Sequence, residues 1–248
     1  LFFENSTPRE ALPKMGMLFL FDAIFLLFGL FFLAREKDLK AKILVFSLLF
    51  FAPLGASLTL SEFSVVRALF MTIPLAIIIA LGIYYLFEKH KFILALLLIA
   101  YIHNVTLGLD LYFNHSKNFL APSFNYGYKQ AVEAIKTIPA KKVYFTDVYG
   151  QPYIYYLFYA AYDPATYQKQ NNFISGGIDV GRIPSIGNVE FHQFSPDDIR
   201  NEKDILFIGS NGNIPDTFDA TIPEVDYYDR INLPDGTTPM FRVVKTKP

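Results

Sequence analysis

"ALFMTIPLAIIIALGIYYLF", Ala68–Phe87, is twenty residues without a charge. An α-helix needs about 20 apolar residues to cross the hydrocarbon core of a bilayer. Three further runs resemble it. "MLFLFDAIFLLFGLFFLA", Met17–Ala34, carries Asp22 inside it. "ILVFSLLFFAPLGASLTL", Ile43–Leu60, is uncharged, with Pro53 and Gly55 placed to kink it. "FILALLLIAYIHNVTLGLDLYF", Phe92–Phe113, contains His103 and Asp110. Buried core helices of a water-soluble protein are the alternative reading. Four such runs joined by short polar segments argue for the membrane.

The charges divide the chain in two. Residues 1–120 hold 10 Lys+Arg and 8 Asp+Glu, mostly clustered between the apolar runs. Residues 121–248 hold 12 and 15, spread as on a soluble domain. The expected fold is a membrane α-helical region of about four transmembrane helices (1–120), followed by a small extracytoplasmic α/β domain (121–248). The joint Arg35–Lys42 carries four cations and Glu88–Lys91 carries two, whereas the joint between the second and third runs carries only Arg67. The positive-inside rule then places the first two joints in the cytoplasm, and the tail beyond Phe113 outside the plasma (inner) membrane. The chain opens on Leu1 with no charged head and short apolar core of a signal peptide, so it is expected to be a piece of a longer polypeptide.

The second half alternates helix and strand patterns. Gly127–Ile138 places Ala131, Ile135 and Ile138 on one helical face. "KKVYFTDV", "NVEFHQF" and "DILFIGS" read as strands. Pro152 and the Asp163-Pro164 pair read as helix starts, and "SPDD", Ser195–Asp198, as a cap with acids in the first turn. The last segment reads as two strands joined by the Pro-Asp-Gly turn at 234–236. The Gly-rich stretch "NFISGGIDVGRIPSIGN" lacks a phosphate-loop pattern.

Composition closes several routes. The net charge is −1 and no basic patch stands out, so nucleic acid is not an expected partner. There is no cysteine, which excludes thiolate chemistry and Cys-based metal sites. The histidines at 90, 103, 115 and 192 show no zinc spacing, and no metal site is expected. No G-x-S-x-G is present.

The residues left to weigh are few. Arg67, in "LSEFSVVRALFMTIP", falls at the outer mouth of the third run. It either snorkels as a helix anchor or offers its fork to a lipid phosphate. Glu62, on the same joint, can pair with Arg67, bind a cation or stay solvated. Asp22 and Asp110, near the outer ends of their runs, either line a cavity or bond a neighbouring helix. His103 reads as a packing histidine. Asp147 and Gln151 fall just past a strand end, where α/β layers commonly hold ligands. The tyrosines at 153, 155, 156, 159 and 162 read first as core packing.

Three stretches carry a resemblance. They are "EFSVVRALFMTIPLAIIIALGIYYL", the closely spaced late helices that lead to an external domain, and "YGYKQAVEAIKTIPAKKVYFTD" followed by "QPYIYYLFYAAYDPATYQ". Together they resemble the C-terminal portion of the GT-C membrane glycosyltransferases, bacterial relatives of dolichyl-phosphate-mannose–protein mannosyltransferases and aminoarabinose transferases. The resemblance implies transfer of a sugar from a polyprenyl-phosphate donor to an extracytoplasmic glycan or protein acceptor, with the catalytic acid outside this sequence. It implies no cofactor, although a divalent cation is compatible. It carries over only Arg67, as a phosphate-contacting group. The reading from another class is a membrane-anchored extracytoplasmic glycan- or protein-binding module without catalysis.

Overall fold

The computed structural model describes residues 9, 12, 15–58, 66–89, 91–170, 172–176 and 181–248. They fall into two compact units, Leu1–Leu120 and Ala121–Pro248.

The first unit is helical: α1 (Asp22–Arg35), α2 (Leu39–Phe51), the single turn α3 (Leu54–Ser57), α4 (Thr72–Lys89), α5 (Lys91–Asp110) and α6 (Ser116–Leu120). Among the described residues, three helical stretches are long and apolar enough to cross a membrane: Leu39–Ser57, Leu69–Glu88 and Ala95–Leu120. Their mean hydropathies are 1.7, 2.3 and 1.5, and no more than 22% of any is buried by protein, which leaves apolar side chains for lipid to cover. Asp38 caps α2 by accepting hydrogen bonds from the amides of Lys40 (2.9 Å) and Ala41 (3.4 Å). Pro53 ends α2, as its ring requires. Pro74 does not interrupt α4, because it sits in the first turn, where an N–H has no helical acceptor in any case.

The expected fourth span falls short. α1 has 14 residues, about 21 Å at 1.5 Å per residue, against roughly 30 Å of hydrocarbon. The reason is local. The Asp22 carboxylate accepts a hydrogen bond from the Phe19 amide at 2.8 Å, which holds the preceding residues in a turn and starts the helix only at Asp22.

α1 packs on α4 by backbone approach. A Cβ on Gly29 would stand 1.9 Å from the Ile78 carbonyl oxygen, and one on Gly82 would stand 2.1 Å from that of Phe25. Paired small residues of this kind let helices approach inside lipid, where no hydrophobic drive between helices exists. Phe32 stacks on Tyr85 at 3.8 Å, and Leu33, Val45 and Ile78 form the buried centre with α2.

The second unit is a six-stranded mixed sheet in the order β2-β3-β1-β4-β6-β5. Its elements are α7 (Tyr128–Thr137), β1 (Lys142–Phe145), α8 (Pro152–Tyr159), α9 (Pro164–Lys169), β2 (Ser185–Ile186), β3 (Val189–Phe191), α10 (Pro196–Asn201), β4 (Ile205–Gly209), β5 (Val225–Asn232) and β6 (Pro239–Thr246). Every helix and strand expected from the pattern is present; β2, inside the Gly-rich stretch, was not expected. β1 runs parallel to β3 and β4, and the other pairings are antiparallel.

Alternation along the strands makes two cores. Val143, Phe145, Leu206, Ile208, Phe241 and Val243 face α7 and α8. Tyr144, Ile205, Phe207 and Val244 face Ile199 of α10 and Ile214. β4 is buried along its whole length, as a central strand must be. The tyrosines at 153, 155, 156, 159 and 162 pack against the first core. Ser195 and Asp198 form a capping box on α10, and Asp163 caps α9 through the Thr166 amide at 2.8 Å. The 234–236 turn closes through Asp235, which accepts from the amides of Thr237 and Thr238 at 2.9 Å, with Gly236 at φ +75°.

Candidate functional site

The sheet topology points to one edge. β1 and β3 are adjacent and parallel, yet the chain leaves them toward opposite faces: β1 leads to α8 in the first core, and β3 to α10 in the second. The strand order therefore reverses at β1, which has β3 on one side and β4 on the other, and ligands of open α/β sheets bind outside the strand carboxyl ends where the order so reverses. The residues just past the three parallel strands meet there. Thr146 and Asp147 come after β1, His192 and Gln193 after β3, and Ser210–Asn213 after β4.

They form one hydrogen-bonded network. The Gln193 amide donates to the Asp147 carboxylate, and its carbonyl oxygen accepts from the Thr146 hydroxyl at 3.4 Å and from the Asn213 amide at 3.0 Å. Asn213 also donates to the Phe194 carbonyl at 2.9 Å. Its own oxygen accepts from the Ser210 amide (3.1 Å) and hydroxyl (2.8 Å). Thr146, Ser210 and Asn213 are buried. The network fixes three loops relative to one another and presents amide and carboxylate groups, with no nucleophile–base pair among them. Tyr149, in the loop after Asp147, packs edge-on against Phe241. Burial raises its pKa against a smaller opposing pull from Arg242, so it stays a protonated donor at neutral pH.

No family model, curated protein or solved structure matches this chain. The sites therefore rest on their own geometry.

Asp147 belongs to the network; Gln151 does not. Its amide donates to the Gly181 carbonyl at 3.4 Å and lines an open groove of about 610 Å³ with Gly150, Ile174 and Arg182. In the helical unit the expected residues stay apart. Asp22 is buried and accepts from the Tyr101 hydroxyl as well as the Phe19 amide, which ties the start of α1 to α5. Asp110 is held on its own helix, where it accepts from Asn114 at 2.7 Å and lies 3.3 Å from His115. That contact spans a π-helical stretch, Leu111–His115, that continues α5. His103 is exposed on α5. Arg67 is exposed in the turn that leads into the 3-10 helix Leu69–Met71 and then α4. Glu62 and His90 lie outside the described residues. Among the described residues, no three His, Asp or Glu side chains gather as a metal site.

Gln193, Asn213 and Arg242 were not singled out by sequence. The first two had a usable signal, since each stands just past a strand, as Asp147 does. Arg242 had a different one: a charge in the apolar run "PMFRVV".

Proposed function

We propose that this chain supplies late helices and the external domain of a plasma-membrane glycosyltransferase that moves a sugar from a polyprenyl phosphate to an extracytoplasmic glycan or protein acceptor. The supporting observation is the position of Arg67. It is an exposed guanidinium in the turn before the most apolar span, Leu69–Glu88. A polyprenyl chain lies in the hydrocarbon, so its phosphate lies at the level of such a turn. The acceptor oxygen attacks the anomeric carbon, and the bond from that carbon to the phosphate oxygen breaks. The electron pair leaves on the polyprenyl phosphate. Arg67 stabilises that growing charge through a charge-assisted, fork-shaped hydrogen bond. The acceptor proton passes to the catalytic acidic residue that the resemblance places outside this sequence.

In the full-length enzyme with a radiolabelled polyprenyl-phosphate sugar, Arg67→Ala is expected to slow transfer about a hundredfold, the scale of losing one oxyanion donor. Arg67→Lys is expected to recover only part, since an ammonium lacks the planar fork. Wild-type turnover in Arg67→Ala would remove Arg67 from the mechanism.

The second reading, a membrane-anchored extracytoplasmic binding module, is favoured by a different observation. The network at the strand carboxyl ends offers hydrogen-bonding groups without a nucleophile–base pair. Glycan-array binding by the protein, lost in Asp147→Ala and unaffected by Arg67→Ala, would select that reading.

A further inference from the structure

Arg242 is 1% exposed, and its Nη2 donates to the carboxylate of Asp216. Its Nε and Nη1 are buried with no partner among the described residues. A buried donor without an acceptor carries its full desolvation cost, and a guanidinium has five N–H groups to satisfy. Directly across the strand pair, Arg230 of β5 is in register with Arg242 of β6. Residues so paired project from the same face, about 5 Å apart at Cβ, where like charges repel. Arg230 is itself held in place: its Nε donates to the Tyr228 hydroxyl at 2.9 Å, and its guanidinium lies over the Tyr228 ring. Its pKa is raised, chiefly by that hydroxyl and in lesser part by the field of Asp216, so one carboxylate acts on both arginines.

The way in is also defined. On the other side of Arg242 stands Gly209 of β4. The space beside it is filled by Phe194, Asn213 and Ile214, all within 3.0 Å of where a Cβ would lie. The Asp216 carboxylate is 68% exposed. Entry therefore runs past Asp216, and an entering anion replaces it.

We propose that Arg242 and Arg230 form a binding site for a phosphate monoester, with Asp216 as the internal occupant that a phosphate displaces. Two guanidiniums and one carboxylate leave a net positive charge, which a dianion neutralises and a second carboxylate in place of Asp216 would not. Two phosphate oxygens take the paired bonds that the guanidinium fork of Arg242 favours, and the third faces Arg230. The inference stands apart from Arg67 and from sugar transfer. The phosphate belongs to a saccharide, to a lipid headgroup, or is free.

The test is a phosphorus NMR titration of inorganic phosphate against the whole chain in maltoside micelles, which contain no phosphorus. Saturable line broadening is expected. Asp216→Asn should tighten binding about tenfold by removing the competitor, and Arg230→Gln should weaken it about tenfold. Asp216→Asn keeps an amide oxygen as acceptor for Arg242 Nη2, Arg230 is exposed, and circular dichroism of each variant checks that the sheet remains. Arg242→Lys should weaken binding further, with circular dichroism confirming that the sheet remains. Tighter binding of glucose 6-phosphate than of phosphate identifies a saccharide source. Loss of free-phosphate binding in nanodiscs with phosphatidic acid, but not phosphatidylcholine, identifies a headgroup. Absence of saturable broadening in both wild type and Asp216→Asn overturns the site. So does wild-type affinity in Arg230→Gln.

Discussion

Gly82→Ala is expected to destabilise the helical unit, and Gly82→Val to do so further. The sign is what tests the structure. In a helix interior, Gly→Ala ordinarily stabilises by roughly 1 kcal/mol, because glycine loses more backbone freedom on folding. At Gly82 the new methyl would stand 2.1 Å from the Phe25 carbonyl oxygen, and a Cβ at the reciprocal position, Gly29, would stand 1.9 Å from the Ile78 carbonyl oxygen. Both obstacles are backbone, so no rotamer change relieves them, and α1 must move away from α4. That movement opens the Phe32–Tyr85 stack and the contact of Leu33 with Ile78. Overpacking an ordinary core costs about 1–3 kcal/mol. Here the cost exceeds the propensity gain, and a net loss of about 3 kcal/mol is expected for valine. Gly55 is the internal control, since among the described residues nothing lies within 4 Å of its missing Cβ. Unfolding by SDS in maltoside micelles, followed by circular dichroism, should lower the midpoint in the order Gly82, Ala, Val. Gly55→Ala should leave it unchanged or raise it. A Gly82→Ala protein as stable as wild type would mean that the helices do not meet there.

The same glycines show where sequence reading stops. The long apolar runs announced α2, α4 and α5, because hydropathy over about 20 residues is a property of the run itself. The helix caps at Asp163 and Ser195 were of the same kind, since a side chain bonding an amide three residues away is written locally. The run Met17–Ala34 gives only a 14-residue helix, α1, for a local reason too. Asp22 lies within an apolar run, and its bond to the Phe19 amide competes with helix continuation in a way hydropathy does not register. Gly29 and Gly82 became informative only once α1 lay against α4, a pairing of helices that are not neighbours in sequence. Arg242 is similar. Its register with Arg230 comes from the final hairpin, which was legible, but its burial depends on β4 running alongside. At the strand carboxyl ends, Asp147 was legible from its place just past β1. Gln193 and Asn213 hold the equivalent places past β3 and β4, so their positions were legible too, although the bonds that join them were not.

Those bonds carry the second large effect. Asn213→Ala is expected to loosen the strand carboxyl edge by about 3 kcal/mol, because it removes one side chain and strands several partners. The Ser210 amide and hydroxyl lose their acceptor, the Phe194 carbonyl loses this donor, and the Gln193 oxygen keeps only the longer bond from Thr146. Asn213 is 3% exposed and Ser210 4%, so water does not reach these groups without local opening. An unsatisfied buried group costs about 1–3 kcal/mol, and the relaxation of Gln193 toward Asp147 recovers only part of it. Opening energies of this size read out as hydrogen exchange. In the whole chain, amides of residues 205–214 should exchange about a hundredfold faster in Asn213→Ala, since each 1.4 kcal/mol is tenfold. Amides of α7, which packs on the opposite face of the sheet, should change little. Asn213→Asp separates shape from bonding: it keeps the acceptor for Ser210 but loses the donor to Gln193 and Phe194, so exchange between wild type and alanine is expected. Equal protection in all three proteins would show that the three loops are held by their backbone alone. The polar edge would then be a surface open to ligand rather than a brace between strands.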